Sequence, residues 1–182
     1  MNKSFSFILP AIGAAILTVL SQFSFSIGPI PITLQTFAVG LIATIFKTRE
    51  AVLSVLLYLL LGAIGLPVFA GGSGGFQALI GPSAGYLWAY LLFALITSSL
   101  TSQDSKFYTI LLANLLGDAL VFIGGVIGLH FLANMGFSKA IAVGVTPFIL
   151  PDLLKIVAIT LISIPMFRSL AFHPYFSDNK NG

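Results

Sequence analysis

The sequence predicts an all-α integral membrane protein of six transmembrane helices, with irregular outward-facing loops after helices 1 and 3. Three observations carry that expectation. Hydrophobic residues make up 58% of the 182 positions and charged residues 7%, with a mean hydropathy of +1.08, against roughly 25% charged in an ordinary soluble domain. The apolar residues gather into long runs rather than alternating with polar ones. Lys and Arg sit singly in the gaps between those runs and fall mostly on one side.

A hydrocarbon core ~30 Å thick takes about 20 residues of helix, fewer or more with tilt. The runs are placed at residues 5–25, 33–46, 51–66, 83–100, 107–133 and 139–167, so that 1–182 form a single six-helix membrane domain. The second and third are short; tilt or flanking loop residues extend them, or the two together form a re-entrant hairpin. Lys3 precedes the first run, as in a signal peptide, but the run is too long for such a core and no A-x-A-like site precedes Gly28-Pro29.

Short loops retained in the cytoplasm carry the excess of Lys and Arg. With the N-terminus inside, the cytoplasmic segments hold Lys3, Lys47, Arg49, Lys106, Arg168 and Lys180, and the opposite side holds Lys139. Both termini are therefore expected in the cytoplasm. Isolated cations between apolar runs mark topology rather than a nucleic-acid surface.

The first outward connection is "GPIPITLQTF", residues 28–37, in which Pro29 and Pro31 fix the chain direction and present Thr33, Gln35 and Thr36. The second, residues 65–86, carries seven glycines and two prolines without a charge, interleaved with Phe69, Phe76 and Tyr86. Irregular backbone at membrane depth is tolerated where it is buried in protein or lines a cavity. Two such loops on one side suggest a lid. "GGSGGF" has neither G-x-G-x-x-G spacing nor a Gly-Lys-Ser/Thr, so it is not a phosphate loop.

Asp152 and Lys155 interrupt the last apolar run, in "TPFILPDLLKIVAITLI". A charge inside a membrane segment costs about 2.5 to 3.5 kcal/mol on insertion scales and marks function by default. The spacing of three lets the two pair on one helical face, and Pro147 and Pro151 kink the chain beside them. Asp118, with Asn114 one turn before it, is a further intramembrane charge that suits helix packing as well as a ligand. The chain has no cysteine and two scattered histidines, which excludes disulfides and thiolate metal sites. His130 has no evident catalytic partner, no constellation for chemistry assembles, and no cofactor is expected.

Together, "IGPIPITLQTFAVGL", "GLPVFAGG…GFQALIGPSAGYLWAY" and "PDLLK" resemble the BioY family, the biotin-specific substrate-binding (S) components of energy-coupling factor (ECF) transporters. The likeness runs from about Ala11 to Ile164. It implies a multi-pass protein of a prokaryotic cytoplasmic membrane that captures biotin from outside and delivers it inward with an EcfT-type coupling protein and two EcfA-type ATPase subunits. The absence of a Walker motif from this chain accords with that division of labour. The family's A-x-x-x-A contact with the coupling protein falls on Ala11 and Ala15, a spacing that allows close helix approach.

Biotin's chemistry suits these residues independently. Asp152 is an acceptor for the ureido N–H groups. Asn114, Thr33 or Gln35 serve the ureido carbonyl, Lys155 satisfies Asp152 or the ligand carboxylate, and Tyr86, Phe69 and Phe76 cover the sulfur ring. The rival readings are an S component for another vitamin and a proton-coupled carrier or channel using Asp118, Asp152 and Lys155.

Overall fold

The computed structural model describes residues 3–25, 30–173 and 176. Within them the chain is all-helical apart from one short ribbon. The helices are α1 (Lys3–Ser21), α2 (Gln35–Ile45), α3 (Thr48–Ala63), α4 (Ala84–Leu100), α5 (Phe107–Leu132), α6 (Phe137–Gly144) and α7 (Ile149–Leu170). The ribbon pairs β1 (Ser24–Phe25) antiparallel with β2 (Ile32–Thr33).

The helices of this bundle are apolar on both sides. Leu112, Leu116, Ile123 and Ile127 of α5 and Leu154, Val157 and Leu161 of α7 are exposed, at spacings that keep each set along one flank. Large contiguous apolar surface of this kind is foreign to a water-soluble monomer and natural in lipid. By length and composition α5 and α7 each suffice to cross a membrane.

Buried polar hydroxyls satisfy themselves along the helices, as Thr44 does on Gly40 O at 2.7 Å and Thr160 on Ile156 O at 2.8 Å. Between helices, small residues allow close approach. A Cβ on Gly85 of α4 would run into the carbonyl of Gly124 on α5, and one on Gly117 would meet the ring of Phe93.

The last apolar run is not one helix. The expected span 139–167 divides into α6 and α7, with residues 145–148 between them. Pro147 explains the break: it supplies no backbone N–H, and its ring disfavours helix at Thr146. Pro151 is harmless, because it lies in the first turn of α7, whose N–H groups have no helical acceptor.

Part of the elbow after the first helix is a ribbon strand rather than irregular loop, and residues 26–29, Pro29 among them, lie outside the described residues, as does Lys180. The end of α1 is tied to the glycine-rich connection, where Ser21 donates to the Val68 carbonyl at 2.5 Å, and the ribbon is extended by Leu34 N–H to Phe23 O at 3.2 Å. Within the connection, Gly75 takes φ +98 while its N–H reaches Gly62 O at 2.7 Å, a conformation only glycine adopts without strain.

Candidate functional site

Between this ribbon, the glycine-rich connection and the starts of α2, α4 and α7 lies a cavity with about 630 Å³ of space not filled by atoms, part of it continuous with the outside. One wall is polar, from Thr33, Gln35, Thr36, Asp152 and Lys155; the others are aromatic and aliphatic, with Phe69, Tyr86, Tyr90, Phe122 and Phe148.

The polar wall is organised by Lys155. Its ammonium donates to Asp152 Oδ1 at 2.5 Å, to the Thr33 carbonyl at 2.6 Å and to Thr36 Oγ1 at 3.0 Å. Three donors meet three acceptors. Thr36 in turn donates to Asp152 Oδ1 at 3.1 Å. The pair is nearly buried, with side chains 11% and 3% exposed. Asp152 lies in the first turn of α7, where the positive end of the helix dipole favours a carboxylate. The charges thus lash the β2–α2 junction to α7, far apart in sequence.

Gln35 is locked by its neighbours. Its Oε1 accepts from Thr33 Oγ1 at 3.0 Å and Tyr90 OH at 3.3 Å, and its Nε2 donates to Tyr58 OH at 2.6 Å. The amide orientation is thereby fixed. The side chain faces the cavity with one N–H still to give.

On the aromatic side, Phe69 is buried over Gly62, where any Cβ would clash with its ring, and meets Tyr58 edge-on at 5.3 Å between centroids. Tyr86 donates to the Gly144 carbonyl at 2.7 Å, so α4 holds the end of α6 and the α6–α7 break against the cavity. Phe148, in that break, lies 6.4 Å from Tyr86 between ring centroids.

Six of the eight side chains expected at a ligand therefore converge: Asp152, Lys155, Thr33, Gln35, Tyr86 and Phe69 line one cavity. Asn114 and Phe76 do not. Asn114 points between helices, donating to Thr44 Oγ1 and the Ile110 carbonyl, both at 2.9 Å, beneath Gly40. Phe76 is 61% exposed on a short 3-10 turn whose apolar anchor is Leu79 instead. Tyr90, Phe122 and Phe148 were missed by the sequence reading. Tyr90 carried a usable signal, since it stands one helical turn after Tyr86.

His130 has a structural explanation. Its Nδ1–H donates to the Met135 carbonyl at 2.7 Å and its ring stacks on Phe137 at 3.9 Å, closing the α5–α6 turn. Ala11 and Ala15 both lie on the exposed face of α1, opposite buried Leu9, Ala14 and Leu17.

The sequence matches the BioY family over residues 2–172. It is 40% identical over 179 residues to the biotin transporter BioY2 of Lactococcus lactis subsp. cremoris (strain MG1363), covering 97% of this chain and 98% of that one. Against the biotin transporter BioY of Thermotoga maritima the figure is 39% over 150 residues, covering 82% and 88%. The fold superposes with a TM-score of 0.87 and 28% identity on the crystal structure of the S-component for biotin from an ECF-type ABC transporter, covering 97% of this chain and 98% of the other. With the family model matched over residues 2–172 and relatives matched over nearly their whole length, this chain belongs to the BioY family.

Proposed function

We propose that this protein is a biotin-capturing S component, a transporter subunit and not an enzyme, and that the cavity between the ribbon, α4 and α7 is where the vitamin binds. The observation that carries the reading is the meeting of a buried Asp152–Lys155 pair with aromatic walls in one cavity. Biotin presents a ureido ring, an apolar sulfur ring and a chain ending in a carboxylate. Asp152 accepts from the ureido donors, Gln35 offers its remaining N–H to the carbonyl, and Phe69, Tyr86, Tyr90 and Phe148 enclose the rings. Lys155 already gives all three protons to the protein, so a ligand carboxylate that engages it replaces the Thr33 carbonyl or Thr36. Ligand entry is thereby linked to the β2–α2 junction. Titration calorimetry of the purified, detergent-solubilised protein with biotin, alongside mass spectrometry of co-purified small molecules, is the test. Saturable binding of biotin is expected; no binding by folded protein would sink the reading.

Topology follows from the same arrangement. Six helices, α1 to α5 and α7, cross the membrane, while α6 and the two connections lie at the outer side with the cavity mouth. The 11 residues of α2 rise only ~16 Å as helix, and the ribbon with its loops supplies the remaining depth inside the protein. Both termini face the cytoplasm of a prokaryotic cell, in accord with the Lys and Arg count. Single cysteines at Ser73 and Thr48 should then label from opposite sides, Ser73 from outside; labelling from one side overturns six spans.

Energy comes from partners, an EcfT-type coupling protein and two EcfA-type ATPase subunits. Ala11 and Ala15 suit that contact because small, exposed residues four apart leave a groove for another helix. A Leu at either position should abolish uptake in the assembled transporter while the isolated subunit binds biotin unchanged. Lost binding would instead assign the alanines to the subunit's own packing.

A further inference from the structure

Asp118 takes no part in the cavity lining, yet it is a buried carboxyl on α5, 5% exposed, whose Oδ1 has no hydrogen-bond partner. One turn earlier on the same face stands Asn114, fully buried, and its Oδ1 also lacks a partner. The orientation of that amide is fixed. The Ile110 carbonyl can only accept, and Thr44 Oγ1 spends its proton on Gly40 O, so both must face Asn114 Nδ2. Both amide protons are then used, and Asn114 Oδ1 remains an acceptor in need of a donor.

Two donorless acceptors lie one helical turn apart, within reach of each other. A single proton resolves both. Bound to Asp118, it makes the carboxyl a hydrogen-bond donor that reaches Asn114 Oδ1. The charges around it point the same way. From α7 the neighbours are Asp152 and Lys155, already paired to neutrality, and from α4 the phenol of Tyr90. The facing side of α2 brings Thr36, Gly40 and Thr44, none of which ionises. An ionised Asp118 would leave this low-dielectric interior with an uncompensated negative charge.

We propose that Asp118 and Asn114 form a proton-binding site, in which the Asp118 carboxyl carries the proton and donates it to Asn114 Oδ1. Resting on the biotin reading, one consequence follows: the proton keeps a net negative charge away from a cavity that receives an anionic ligand. When the proton leaves, the affinity for that anion falls.

Infrared spectroscopy tests the site without any ligand. Wild-type protein in detergent at neutral pH should show the carbonyl stretch of a protonated carboxylic acid, shifted in D2O, lost in Asp118→Asn and displaced in Asn114→Ala. Where Asp118→Asn fails to fold, aspartate labelled with 13C at the side-chain carboxyl moves the band in wild-type protein and separates it from Glu50. Asp104 is exposed, Asp152 is ion-paired, and an Asp178→Asn background removes the fourth aspartate, so the labelled band belongs to Asp118. A carboxylate spectrum at neutral pH, as expected if a water molecule bridges the two acceptors, overturns the proposal. So does an acid band that survives Asp118→Asn. Biotin affinity should weaken over the pH range in which the band disappears, and Asp118→Asn should bind with no such dependence. Failure of biotin to bind at any pH would count against the ligand assignment and leave the infrared result standing.

Discussion

The seam between α4 and α5 and the seam between α2 and α7 join helices by opposite means. At α4–α5 the contact is dry apart from one hydrogen bond, Thr97 Oγ1 to the Ala113 carbonyl at 3.0 Å, and is made chiefly of what is missing: Gly85, Ala89 and Phe93 on one helix meet Gly124 and Gly117 on the other, and Tyr86 lies over Gly125. At α2–α7 the contact is polar: Thr33, Thr36, Asp152 and Lys155 exchange hydrogen bonds across the gap. Lipid is as apolar as leucine, so helices in a bilayer gain little by burying apolar side chains against each other. Close backbone packing and interhelical hydrogen bonds are the two remaining attractions. The dry seam leaves no space and makes a rigid wall. The polar seam holds a cavity open beside it, and its bonds can be exchanged for bonds to a ligand.

The sharpest way to break this contrast is to remove one charge from the polar seam. Lys155→Met strands Asp152 with Thr36 as its remaining donor. Losing one partner of a buried pair costs about 3 to 5 kcal/mol. The double change Asp152→Asn with Lys155→Met should recover most of that stability without recovering biotin affinity, since the pair's own repair and the ligand's needs are separate. Denaturant or thermal unfolding in detergent, with biotin affinity on the same three variants, measures both. A double change that costs the sum of the two single changes would show that the pair is not coupled.

The dry seam breaks differently. Gly85→Val drives a branched side chain into the backbone of Gly124, and overpacking of this kind costs about 1 to 3 kcal/mol. Stability should fall while the protein that remains folded binds biotin nearly as well as wild type, because Gly85 lies outside the cavity lining. Unchanged stability would mean that α4 and α5 do not approach so closely.

The two seams also differ in how far they could be read from the sequence. Long apolar runs predict helices well because the bilayer demands unbroken backbone pairing: residues 83–100 and 107–133 became α4 and α5 with ends moved by one residue. Asp152 and Lys155 declared themselves by being charged where charge is costly. Pro147 was visible as a kink, but a kink and a full break carry the same sequence signal; whether the chain resumes in line depends on what α6 packs against. Asn114 and Phe76 lie off the cavity lining for a related reason. A buried amide on a helix face suits a helix seam as well as a ligand, and of two phenylalanines in one glycine-rich loop only the path of the loop decides which is swallowed. Phe69 found room above Gly62, and Phe76 did not.

The smallest effect probes the border between the seams, where Gln35 of α2 is set by Tyr90 from α4 and Tyr58 from α3. Tyr58 is fully buried and does not line the cavity, so it reaches a ligand only through Gln35. Tyr58→Phe keeps the ring packing against Phe69 and removes the acceptor for Gln35 Nε2. A neutral hydrogen bond contributes about 0.5 to 1.5 kcal/mol net, so stability should drop by roughly 1 kcal/mol. The amide, no longer pinned, is free to turn its donors elsewhere, and biotin affinity should fall by about two- to tenfold. Gln35→Glu separates orientation from hydrogen-bond type. It keeps a link to Tyr58, which can donate to the new carboxylate, but offers the cavity an acceptor in place of a donor. Calorimetric titration of both variants with biotin decides between them. A larger loss in Gln35→Glu than in Tyr58→Phe is expected if Gln35 donates to the ligand; equal or reversed losses would remove that role and leave Gln35 as a strut between three helices.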